Sequence, residues 1–175
     1  MKSICSYYLV AFAALTSIAT AEENPVCHES PRYLIVEGAT EDVGTYFLVK
    51  YKSKKGQRLT CEYMPKPGDL EIRDDAAYFL GLQDDLLILD SGTGPDPRGL
   101  IIWDLKKQKK VYTDGYSDAK IEPGYMEFWV ETGRATEENC PEGKEWRQGG
   151  LGTAIETRAR LNFSDFKLVK SSQKR

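Results

Sequence analysis

Residues 155–163 alternate without a break. Ile155, Thr157, Ala159, Leu161 and Phe163 fall on one side, and Glu156, Arg158, Arg160 and Asn162 on the other. A helix repeats every 3.6 residues and cannot sort this series into a dry and a wet face. A strand, with its period of two, does so by construction. Met126, Phe128 and Val130 alternate in the same way with Glu127, Trp129 and Glu131. A chain that commits its segments to this period must bury sheets against sheets.

The rest of the sequence follows suit. Residues 46–51 are aromatic and β-branched, residues 54–57 read as a turn, and residues 58–63 read as a returning strand. Pro65, Pro67 and Gly68 then break the pattern. Residues 77–82, 85–89 and 100–105 are short, mainly apolar runs that suit buried strands, and a turn at 106–109 leads to a further strand at 110–113. Only residues 141–147 suggest a helix, with Asn139 as its cap and Gly149-Gly150 as its stop. The expected class is all-β: an antiparallel sandwich or open, blade-like sheets, with at most one short helix. Two hairpins, around residues 100–112 and 160–169, resemble the inner hairpin of a β-propeller blade. At roughly forty residues per blade the chain holds three or four, at or below the minimum for ring closure, so an open stack is expected.

The first 21 residues read as a secretory signal peptide. Lys2 is the positive end, residues 7–18 are uncharged, Ala19-Thr20-Ala21 gives a small-x-small cleavage site, and Glu22-Glu23 opens a polar chain. The apolar run falls short of the roughly twenty residues that span a bilayer. The expectation is a single secreted or periplasmic β domain over residues 22–175, with no membrane span in the mature chain.

The formal net charge is −3 over 175 residues, and loss of Lys2 with the leader makes it more acidic. That balance excludes nucleic acid, whose binding needs many cations against phosphates. Three cysteines remain after residue 21: Cys27, Cys61 and Cys140. All three pairings are open. Cys27–Cys61 is favoured because both flank early strand-like segments, which leaves Cys140 as the odd thiol. No Cys-x-x-Cys occurs, and His28 is the sole histidine, so His-based zinc clusters are excluded. No cofactor is expected.

Two chemical leads share one loop. Residues 87–93, Leu-Ile-Leu-Asp-Ser-Gly-Thr, resemble the Asp-Ser/Thr-Gly-Thr/Ser motif of aspartic proteases, with Asp90 as the catalytic candidate. The resemblance implies two carboxylates sharing a proton. One copy of the motif would need a homodimer, and the supporting apolar-apolar-Gly string, Phe79-Leu80-Gly81, precedes the motif where the family has it later. Alternatively Asp90 and Asp96, with loop carbonyls and neighbouring Asp84, Asp85 and Asp104, offer oxygen ligands to calcium, although the dense Asp/Asn ladder of calcium loops is missing. Two turns are basic: Lys50, Lys52, Lys54, Lys55 and Arg58 in one, Lys106, Lys107, Lys109 and Lys110 in the other. With Tyr112, Tyr116, Trp129 and Trp146 near turns or on wet faces, Lys54, Lys55, Lys107 and Lys109 suit an acidic macromolecular partner. The leading expectation is a non-catalytic domain that binds another macromolecule outside the cytoplasm, such as an envelope enzyme or a toxin. The rivals are an acid-residue hydrolase using Asp90 and a calcium-dependent adhesion module.

Overall fold

The computed structural model describes residues 25–40, 42–94, 97–149 and 154–175, without the side chains of Glu142, Trp146 and Arg147. Residues 1–21, read above as a signal peptide, and Asp96 lie outside the described residues. The chain is all-β, with two antiparallel sheets. The first holds β1 (Cys27–Glu29), β2 (Tyr33–Gly38), β3 (Tyr46–Tyr51) and β4 (Leu70–Ile72) in that order. The second holds β5 (Ala77–Gln83), β6 (Leu86–Ser91), β7 (Arg98–Asp104), β8 (Lys109–Glu122), β9 (Tyr125–Arg134), β10 (Ala154–Asn162) and β11 (Leu168–Lys174), each beside its sequence neighbour.

The second sheet folds over on itself, and β8 is where it turns. Its first half, Lys109 to Tyr116, pairs with β7, and its second half, from Ser117, pairs with β9. Register shifts between Ser117 and Lys120, and Asp118 takes φ 48°. A left-handed residue in a strand is the signature of a bulge that bends it. The result shows at Gly81 on β5, where a Cβ would stand 2.6 Å from Ile121 Cδ1 of β8. In a flat sheet those strands would lie about 14 Å apart, three spacings of ~4.8 Å.

Three layers follow. β5–β7 form the middle one and are buried on both faces. Leu87 and Leu89 meet Ile35, Phe47, Val49 and Ile72 of the first sheet. Ile88, Leu100 and Ile102 meet Met126, Phe128, Ala159 and Leu161 of the folded-over half. Strands covered on both sides need apolar residues at every position, which is why residues 86–89 and 100–103 are unbroken runs. β9 and β10 form the outer layer and keep one wet face, hence their strict alternation.

Two local expectations change. Residues 58–63 form no strand. They cross the outer face of the first sheet as an irregular strap, where Leu59 and Tyr63 cover Leu34, Val36 and Leu48. Lys50 holds the strap: its buried Nζ donates to the carbonyls of Thr60 at 3.0 Å and Glu62 at 2.6 Å, replacing ladder bonds. Cys27 and Cys61 form a disulfide across it, and Cys140 lies outside that bridge. The short helix exists as a 3-10 turn, Pro141–Gly143, running into α1 (Lys144–Gln148). Asn139 does not cap it. Cys140 occupies the cap position without a side-chain bond, while Asn139 Oδ1 accepts from the Thr136 amide at 2.7 Å and its amide donates to Arg134 O.

Burial on both faces makes neighbouring residues of β6 equally costly. Ile88→Ala and Leu89→Ala, whose side chains point to opposite cores, should each lower the unfolding free energy by about 2–5 kcal/mol. Arg158→Ala, on the wet face of β10, should cost under about 1 kcal/mol. Urea titration checks this; a small loss for either β6 variant would mean that one face of the middle layer is open to water.

Candidate interaction surface

Because strands run antiparallel and β8 doubles back, six connections gather at one end of the stack. They are residues 30–32, the turn after β3, Asp84 and Asp85, residues 105–108, residues 123–124 and residues 163–167. Hydrogen bonds tie them together. Leu105 N donates to Asp85 O at 2.8 Å, Lys52 N to Arg32 O at 2.9 Å and Phe163 N to Gly124 O at 3.0 Å. Tyr51 OH donates to Leu105 O at 2.9 Å.

Both basic turns therefore arrive at this end, which their separation in sequence does not reveal. At this end opens a cleft of about 360 Å3, with Phe163 and Phe166 among its apolar walls and Asp84, Asp85, Asp104, Ser164 and, from the second basic turn, Lys107 as polar ones. The carboxylates are largely committed. Asp85 accepts from Tyr33 OH and from Arg32 Nη1 at 2.8 Å. Asp104 is buried and accepts from the Lys107 amide at 2.9 Å and its Nζ at 2.7 Å. Burial pushes the Asp104 carboxyl up, but the hydrogen bonds from Lys107 and its positive charge outweigh that and hold it below the ordinary range. Burial, reinforced by the Asp85 carboxylate, pushes the Tyr33 phenol well up, so it stays a donor.

The basic residues divide into two groups. Lys50 and Lys52 are internal pegs; Lys52 Nζ lies 2.5 Å from Glu29 Oε1 and 2.8 Å from Ser30 O. Lys110 Nζ pairs with Asp74 at 2.5 Å. Lys54, Lys55, Lys106 and Lys109 are exposed and enter no ion pair among the described residues. In sequence, the connection from β9 to β10 carries Glu137, Glu138, Glu142 and Glu145 against Lys144 and Arg147.

The aromatic candidates scatter. Tyr112 reaches the cleft by stacking on Phe166, with centroids 6.4 Å apart, and its hydroxyl bonds Asp114 at 2.9 Å. Tyr116 does not face a partner: it is 7% exposed and part of the inner core. Trp129 lies on the wet face of β9 under the Arg175 guanidinium, 4.4 Å from its ring centre. The Trp146 side chain is outside the described residues. Phe163, Phe166 and Arg32 were not singled out from sequence, because only the meeting of distant turns gives them a common address.

Asp90 sits at the other end of β6. Arg98 grips it with both nitrogens, Nε at 2.8 Å from Oδ1 and Nη2 on Oδ2, while Tyr116 OH donates to Oδ1 at 2.8 Å. Arg98 also reaches Gly94 O at 3.2 Å and stacks over Tyr78 at 5.5 Å. The partners that Asp90 meets are a guanidinium and a phenol, where a protease dyad needs a second carboxylate. Asp84, Asp85 and Asp104 lie a strand length away, so the wider calcium constellation does not assemble around Asp90. Among the described residues no cluster of three or more His, Cys, Asp or Glu is placed to hold a metal. His28 Nε2 meets Glu37 at 2.6 Å and its ring stacks on Phe79, joining the first two layers.

Two outcomes follow. Asp90→Asn should cost about 2 kcal/mol in urea, less than the ~3–5 kcal/mol of a fully buried pair because both partners keep some solvent contact; loss below about 0.5 kcal/mol would show the pair to be ornamental. Asp104, with its folded pKa lowered, contributes stability that is fully present above the unfolded carboxylate value of about 3.9 and fades as pH falls toward the folded value. Asp104→Asn should flatten that acid limb of a stability–pH curve, and an unchanged limb would assign it elsewhere.

No family model matches the chain, and neither the curated proteins nor the solved structures searched gave a match, so the site stands on its own chemistry.

Proposed function

We propose that this protein is a non-catalytic, extracytoplasmic β-domain that docks an acidic surface of another macromolecule at the end where its turns converge. The observation that carries this reading is the set of four lysines, Lys54, Lys55, Lys106 and Lys109, exposed and without ion pairs among the described residues, at the end of the stack that also holds a cleft with phenylalanine walls. Long-range charge steers encounter, and an apolar centre supplies the affinity that lysines at a rim do not. Asp85 and Asp104 of the same end are held by Arg32, Tyr33 and Lys107, which takes two carboxylates out of competition with those lysines. The Cys27–Cys61 bridge fits an oxidising compartment. No helix among the described residues is long and apolar enough to cross a membrane.

An envelope enzyme or a toxin with an acidic face is the natural class of target. Hydrolysis by Asp90 is less well supported, since the Arg98 and Tyr116 bonds already use its oxygens.

The test joins two variants. Retention of the protein on immobilised polyglutamate should fall as salt rises through ~0.1 M, where the Debye length is about 10 Å. Reversing Lys54, Lys55, Lys106 and Lys109 to Glu should abolish it at least tenfold, whereas Asp90→Asn should leave it intact. Equal retention of the charge-reversed protein would defeat the docking surface. A peptide- or glycan-cleaving activity that vanishes in a folded Asp90→Asn protein would defeat the non-catalytic reading.

A further inference from the structure

The strap over the first sheet is attached in an unusual way. It contributes no ladder hydrogen bonds, yet the face beneath it is dry: Leu34 is 4% exposed, and Val36 and Leu48 are 0%. Its attachments are the Cys27–Cys61 bridge, the Lys50 ammonium on two carbonyls, the half-buried Leu59 side chain, and Tyr63, whose ring lies over Gly38 and whose hydroxyl reaches Glu71 at 3.3 Å. A Cβ on Gly38 would fall 2.5 Å from that ring, so the glycine makes the seat for it. The covalent tie is also the accessible one, because Cys61 is exposed.

The other end of the bridge does not depend on it. β1 pairs with β2 through Cys27, His28 and Glu29, Glu37 N donates to Val26 O at 2.9 Å, and His28 is clamped between Glu37 and Phe79. Breaking the bridge therefore releases the strap and leaves β1 in place. Neither main core contains a strap residue.

We propose that Cys27–Cys61 is a redox latch that opens and closes the strap over the Leu34–Val36–Leu48 face without unfolding the domain. A thiolate of a dithiol reductant attacks the exposed Cys61 sulfur, forms a mixed disulfide and releases Cys27 as a thiolate that takes up a proton. The second thiol of the reductant then displaces Cys61. The protein gains two electrons and two protons, and the reductant leaves as a disulfide. With the latch open, an ammonium on two carbonyls, the Leu59 side chain and a ring on a glycine must hold a segment that has no strand partner. Such a segment opens locally, at far lower free energy than the cores. The dry face is then a property of the oxidised protein, and a reducing compartment keeps it uncovered.

Trypsin reads the strap directly, because the Arg58–Leu59 bond lies at its start, close before Cys61. The folded protein is reduced with dithiothreitol, alkylated, cleared of reagent and digested beside the oxidised form; Cys27→Ser/Cys61→Ser, with Cys140 untouched, is the second arm. Cleavage after Arg58 should accelerate at least tenfold in both arms, with increased binding of an apolar fluorescent dye. Amide exchange in β6, β7, β9 and β10 should stay at the oxidised rate. Unchanged cleavage would overturn the latch by showing that Lys50, Leu59 and Tyr63 suffice. Loss of protection throughout β6–β10 would overturn it by showing that the bridge holds the whole fold. Failure of the double variant to fold counts as that second result.

Discussion

The architecture depends on one constraint: the middle layer has water on neither side. Leu87 and Leu89 look toward one core and Ile88, Leu100 and Ile102 toward the other, so β6 and β7 can exist only if both faces are covered. The first sheet covers one face. Covering the other requires the second sheet to return over itself, and the bend at Ser117–Lys120 makes that possible. Gly81 and Ile121 mark where the returning half comes closest.

The same bend sets the chemistry of the surface. By doubling back, β8 brings its own starting turn, its finishing turn and the β10–β11 turn to one end, beside the turn after β3. Lysines from two turns distant in sequence then share the end that holds Phe163 and Phe166, with Lys107 in the cleft itself.

Polar groups inside the molecule act as ties. Lys50 replaces a strand's ladder with two bonds from one ammonium. Arg98 and Tyr116 fasten the loop after β6 through Asp90, and Tyr33 with Arg32 fastens the β5–β6 turn through Asp85. The Lys50 and Asp85 ties join segments that backbone pairing does not join, while Arg98, Asp90 and Tyr116 reinforce the pairing of β6, β7 and β8. In the Asp-Ser-Gly-Thr string a strand runs into a tight loop, and within this chain an arginine and a tyrosine face its aspartate.

Period-two alternation at residues 126–130 and 155–163, and unbroken apolar runs at 86–89 and 100–103, were enough to determine strands and an all-β class, because side-chain burial follows directly from the pleat. Favouring Cys27–Cys61 was likewise within reach, since two flanking segments had to lie together. Residues 58–63 misled because alternating Leu59, Cys61 and Tyr63 suit a strap over an apolar face as well as a strand in a sheet; only the Lys50 bonds separate the two. Tyr116 misled because nothing in its neighbours tells that β8 turns there and carries it inward. Which turns meet, which lysines are left without partners and which carboxylate faces an arginine are facts of long-range geometry. Those contacts join residues tens of positions apart, and no local periodicity encodes them.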